Sequence, residues 1–167
     1  MVINISKNNL RLNILAKNLL SSLNEIVKNE KLVCLLANND KNPLDNKING
    51  EDIILENIFV EPFNMEVPQK QKTELRIFCP EGVFESANVL STTTIYFQII
   101  IHKDLSRIKI DDMMTLREYE IMDCIMEIFA KNHIKGISNI NFQGYEYGFI
   151  DKDYHMYTLV GEIMNGR

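Results

Sequence analysis

The chain has 167 residues, 46% of them hydrophobic and 25% charged, with a formal charge of -5, and that length suits one domain whose core needs no disulfide or metal. The acidic balance argues against a phosphate-binding surface, because nucleic-acid affinity rests on neutralising phosphates with Lys and Arg. Cys34, Cys79 and Cys124 are odd in number and far apart, so they read as reduced, core-type thiols of a cytoplasm, and no Cys or His has a partner at ligand spacing.

Residues 1–9 read as an extended arm, without the basic start and apolar centre of a signal peptide. No apolar run is long enough to cross a membrane. From Asn9 to Asn29 the apolar residues Leu12, Leu15, Ala16, Leu19, Leu23, Ile26 and Val27 recur at steps of three and four. That is the stripe of an amphipathic helix. About 20 residues at 1.5 Å each make a rod of about 30 Å, enough to cross a small sheet. Leu32–Ala37 fits a short helix or a buried strand, which periodicity does not separate; the Asn38–Pro43 cluster after it favours a helical turn that stops there, followed by a surface loop to Asp52.

Three strands are predicted next, at Ile53–Phe63, Thr73–Cys79 and Thr92–His102. The last alternates most clearly, with Ile95, Phe97, Ile99 and Ile101 on one face. Pro62 reads as a point where pairing stops. The loop Pro80–Ser91 carries Val83, Phe84, Val89 and Leu90 outside the predicted strands. Apolar side chains on a long loop must pack back on the domain or onto a partner, so these four are the candidate assembly interface. The short basic clusters Lys70/Lys72/Arg76 and Lys103/Arg107/Lys109 read as solvated faces.

A second helix is predicted over Met114–Lys131, with Asp111 and Asp112 before it and Thr115 and Glu118 at capping-box spacing. Ile121, Met122, Ile125, Ile128 and Phe129 form its apolar face. Gly136–Ile150 and Tyr154–Met164 close the chain as a hairpin turning at Asp151–Asp153, rich in tyrosine and with Gly144 and Gly148 as candidate bulges or points of close approach. The whole predicts a single α+β domain over residues 1–167. Its mixed or antiparallel sheet of about five strands is backed by two long helices, in the order α-β-β-β-α-β-β.

No phosphate-binding glycine loop, zinc-binding helix motif or nucleophile elbow is present, and His102, His133 and His155 are scattered. Asp111-Asp112 is better explained by a helix dipole than by a cation. The residues therefore predict no enzyme, no cofactor and no metal, but a protein that works by its surfaces.

One family shares this layout. Met114-Thr115-Leu116-Arg117-Glu118-Tyr119-Glu120-Ile121-Met122-Asp123 leads a helix, and His133-Ile134-Lys135-Gly136-Ile137-Ser138-Asn139-Ile140 enters the hairpin. An Arg in the first helical turn followed by Ile-Lys-Gly-Ile resembles the tail-terminator and tail-completion proteins of long-tailed bacteriophages. On that resemblance Arg117 and Gly136 carry over as structural markers only, and Ser138 departs from the expected second small turn residue. The resemblance implies a ring homo-oligomer, usually a hexamer, that caps the tail tube and joins the tail to the neck or head. Its partners would be further copies of itself, the tail tube protein, a neck or connector protein and possibly the sheath. It would be made in the host cytoplasm and sit at the tail–neck junction of the virion. Alternatives are a neck or head–tail connector of the same particle, the equivalent part of a phage-tail-like bacteriocin, or a small soluble protein-binding module unrelated to phage.

Overall fold

The computed structural model describes residues 12–63, 70–85, 89–131 and 140–164. The expected arm of residues 1–9 and the marker Gly136 lie outside them. Helix α1 (Leu12–Val27) is followed by α2 (Glu30–Ala37), which Asn29 caps by accepting the Leu32 amide on its side chain at 2.9 Å. The remaining elements are β1 (Ile58–Phe59), β2 (Thr73–Glu85), β3 (Val89–His102), β4 (Arg107–Ile110), β5 (Met113–Leu116), α3 (Arg117–Lys131), β6 (Ile140–Phe149) and β7 (Tyr154–Met164).

The main sheet has five strands in the order β1-β2-β3-β7-β6, and β4 pairs only with β5. β1 runs parallel to β2 and every other pair is antiparallel, so the sheet is mixed. The α+β class with a five-stranded sheet is as the sequence predicts. On β3, Ile95, Phe97, Ile99 and Ile101 are all fully buried, and β7 extends the same dry face through Leu159, opposite Phe97, and Ile163, opposite Thr93. Against it lie α3, through Ile121, Ile125, Ile128 and Phe129, then α2, and α1 through Leu19, Leu23 and Ile26, all in one hydrophobic cluster. The fourfold and threefold steps of each helix put those residues on a single stripe, which is why burial selects this face.

Several boundaries differ from the sequence reading. Ile53–Phe63 is not one strand. Gly50–Ile53 is a 3₁₀ turn capped by the Asn49 side chain, and only Ile58–Phe59 joins the sheet. Gly50 is required there, because a Cβ would stand 2.1 Å from the carbonyl oxygen of Val27. Asn57 then ties the segment down by donating its side-chain amide to the carbonyls of Leu36 and Thr73, each at 2.9 Å.

Pro80–Ser91 is not a loop either, since β2 continues to Glu85 and β3 begins at Val89. Pro80 is accommodated by a register shift between Phe78 and Glu81, so its missing N–H is never asked to pair. The second helix starts at Arg117 rather than Met114. Asp111 and Asp112 do not open it: at φ 49° and 63° they form the two-residue turn joining β4 to β5. Thr115 lies on β5 and donates to Glu120, so the Thr115/Glu118 capping box is absent. The hairpin is as predicted, with its bulge at Gly144 and the turn organised by Asp151, whose side chain accepts from Asp153 and Tyr154 amides.

Candidate assembly surfaces

Arg117 is the most constrained charged residue in the fold. It lies at the head of the α3 stripe, four residues before Ile121, and its side chain has no exposed surface. Its Nε donates to Leu105 O at 2.8 Å, Nη1 to Leu35 O at 2.6 Å and Asn38 O at 2.5 Å, and Nη2 to Asp40 O at 2.9 Å. These acceptors include carbonyls at the end of α2, where the helix leaves its last oxygens unpaired and the dipole is negative. Burial lowers the guanidinium pKa to about 10, so it stays charged at neutral pH. The marker residue is thus a clamp between α2, α3 and the β3–β4 connection. An arginine on an otherwise apolar helical stripe is the sequence signal for it.

The candidate interface residues lie on the β2–β3 arm. Val83 and Phe84 are 62% and 51% exposed. Val89 and Leu90 pair by backbone with Glu85 and Phe84, and their side chains lie outside those described. The arm therefore has an apolar tip, but as a hairpin rather than a loop. β1 covers Leu75 and Arg76, so among the described residues the β2 edge from Ile77 to Gly82 has no partner strand. At the other side of the sheet, β6 pairs among the described residues with β7 alone, which leaves its outer edge without a described partner. Tyr145, Tyr147 and Phe149 stand exposed along that strand.

Beside β6 a tyrosine cluster rises on the helix side. Tyr119 meets Tyr145 and Tyr157 edge-on at 5.8 Å, and Tyr147 meets Tyr157 at 5.4 Å. The hydrogen bond to Tyr145 pushes the Tyr119 hydroxyl up to about 12. A groove of about 280 Å³ continues from it between Met122, Met126 and Phe142. Cross-strand ring packing, the ordinary expectation for such tyrosines, accounts for the contacts.

Burial pushes the Cys79 and Cys124 thiols up to about 11, which leaves them without thiolate at neutral pH. Ser106 donates to Glu118 at 2.9 Å, and His155 Nε2 stands 3.9 Å from the same carboxylate. That order puts the acid between the hydroxyl and the imidazole, so it lacks the hydroxyl–imidazole contact of a nucleophilic triad. No group of three or more potential metal ligands occurs among the described residues. Of the two basic clusters, Lys103, Arg107 and Lys109 are exposed, as a solvated face requires, whereas Arg76 in the other is buried against Glu74 at 2.9 Å and lies over the Phe59 ring at 4.3 Å.

His155 gives a pH signature. Burial lowers its pKa below 6.5, while Glu118 on α3 raises it and His102 on β3 lowers it; Tyr147 on β6 and Tyr157 pack against the ring. The unfolded chain therefore binds a proton first as pH falls. The contribution is fully present above pH 6.5 and is lost as pH falls through the folded value. Urea midpoints at pH 7 and pH 5 should fall further in the wild type than in His155→Gln. An equal fall in both would show that this imidazole is not the source.

No curated protein matches the chain. The family model of YomW, a phage-type family, does match, over residues 29–163. The matched span runs from the Asn29 cap through α2, the Arg117 clamp and all five strands of the main sheet into β7. The chain belongs to the YomW family and is a phage-associated protein.

Proposed function

We propose that this protein is a non-enzymatic assembly protein of the phage particle, closing as a homo-oligomeric ring that caps the tail tube and meets the neck or connector. The observation that supports the reading is the pair of unlike edges of one sheet that carry no partner strand among the described residues. One is β2 from Ile77 to Gly82, leading to the exposed Phe84, and the other is β6 beside Tyr145 and Tyr147. Open edges with exposed apolar side chains are association sites unless a protein blunts them. Two different edges that meet head to tail give a heterologous contact, which closes into a ring when the rotation allows. The phage-type family agrees with a particle component.

Light scattering of the purified protein, alone and with tail tube protein, should give a closed ring, with assembly on the tube if not in isolation. Phe84→Ser and Tyr147→Ser should each weaken ring formation about 30-fold or more, the effect of losing an aromatic anchor of about 2 kcal/mol. If both variants leave assembly and particle yield unchanged, these edges do not carry it.

A further inference from the structure

Leu55 departs from two norms together. Its φ is 65°, a left-handed backbone that costs a residue with a Cβ about 1–2 kcal/mol, and its side chain is 73% exposed. Glycine would take that backbone freely and a polar residue would suit water. The segment is nonetheless held firmly, since Leu55 N donates to Ile58 O at 2.9 Å and Asn57 N to Ile53 O at 2.8 Å. A rigid turn therefore presents a leucine outward, with Glu51, Asp52 and Glu56 exposed around it.

A complementary feature lies nearby. Lys41, Lys103, Arg107 and Lys109 line a cleft of about 690 Å³ that also takes in Ile108 and Met114, the latter 61% exposed. Lys103 is paired with Asp153 at 2.7 Å. Lys41, Arg107 and Lys109 have no ion pair among the described residues, although the chain as a whole is acidic. They are held together by the backbone, because Lys109 N donates to Lys41 O at 2.7 Å. Like charges gathered this way favour an anionic partner.

The acidic turn and the basic cleft share one end of the molecule. Lys72 Nζ donates to Glu56 O at 3.2 Å, and the preceding Gln71 donates its side-chain amide to Asp104 at the cleft at 3.3 Å. We propose that this end is a self-association surface, in which the Leu55 turn of one copy enters the basic cleft of a second copy. Glu51, Asp52 and Glu56 face Lys41, Arg107 and Lys109, and Leu55 packs on Met114. Because the two features lie side by side, a twofold axis engages both at once, each turn in the other copy's cleft. A nucleic acid fits less well: among the described residues no aromatic side chain lines the cleft for stacking, and Asp104 interrupts a phosphate track. The contact uses neither the β2 edge of Ile77–Gly82 nor β6, so it stands apart from the ring reading.

The test is a charge exchange, made in a Phe84→Ser background so that edge-mediated assembly and this contact are read separately. One variant carries Glu51→Lys, Asp52→Lys and Glu56→Lys; the other carries Arg107→Glu and Lys109→Glu. By sedimentation equilibrium at low salt, each alone should associate at least about tenfold more weakly than the parent, and an equal mixture should associate again. Leu55→Gly should also weaken association about tenfold or more while raising the melting temperature of the dilute protein, since glycine relieves the backbone. A merely structural leucine would not give those opposite signs. The proposal is overturned if the parent stays monomeric at millimolar concentration, or if the mixture fails to associate. It is also overturned if Leu55→Gly leaves association unchanged, or if the cleft variant loses only binding to a labelled DNA duplex.

Discussion

Replacing Arg117 with alanine should remove about 3–5 kcal/mol of a folding free energy of about 5–15, the largest single-residue loss in the fold. The side chain supplies hydrogen bonds to the carbonyls of Leu35, Asn38, Asp40 and Leu105 from a fully buried position. Truncation takes the donor from the buried carbonyls of Leu35, Asn38 and Leu105, and each unsatisfied buried acceptor costs about 1–3 kcal/mol before any relaxation. Arg117→Lys should recover only part of the loss. An ammonium has no planar fork to reach carbonyls on separate segments, and it is more strongly hydrated outside the protein. Urea denaturation at pH 7 checks both variants. A midpoint shift worth less than about 1 kcal/mol for Arg117→Ala would show that water replaces the clamp.

Phe97→Ala should rank close behind, at about 3–5 kcal/mol. Phe97 sits mid-strand on β3 with no exposed surface, its ring 5.1 Å from Phe129 on α3 and 6.2 Å from Phe142 on β6. Removing it opens a hole where three elements meet, and a close-packed interior closes such a hole only in part. Phe97→Leu, which keeps most of the volume, should cost under about 1.5 kcal/mol. Chemical denaturation of the pair separates cavity from chemistry. Equal losses for the two variants would count against a packing origin.

Legibility in the sequence followed periodicity. α1, α3, β3 and β7 declare themselves because a buried face forces regular spacing, as at Leu19-Leu23-Ile26 and Ile95-Phe97-Ile99. Ile53-Ile54-Leu55 has no period, and a 3₁₀ turn fixed by Asn49, Gly50 and Asn57 won over the strand its apolar content predicts. β4 and β5 were hidden because four residues are too few for a pattern, and because Asp111-Asp112 suits a left-handed turn as well as a helix start. The predicted strand ended at Cys79, whereas a bulge lets the chain run on through Pro80. The proposed assembly surfaces were half legible. Val83 and Phe84 were singled out by being apolar in the wrong place, but the open edges depend on which strands lie side by side, and a single sequence carries no signal of that order.

The place of β7 in the sheet has a consequence for biosynthesis. β3 is paired along its length, from Thr92↔Met164 to His102↔Tyr154, with a strand made after β4, β5, α3 and β6. A nascent chain emerging from the ribosome must therefore wait, with one flank of its most apolar strand bare, until residues 154–164 arrive. Such distant pairing is slow to form, because the long intervening segment must be ordered before any contact rewards it. During that interval the half-built sheet is the species most exposed to chaperones and to aggregation. On the proposed ring, closure through β6 begins only afterwards, since among the described residues β6 pairs with β7 alone, which lies between it and β3. On that proposal, subunit completion becomes a timer for assembly.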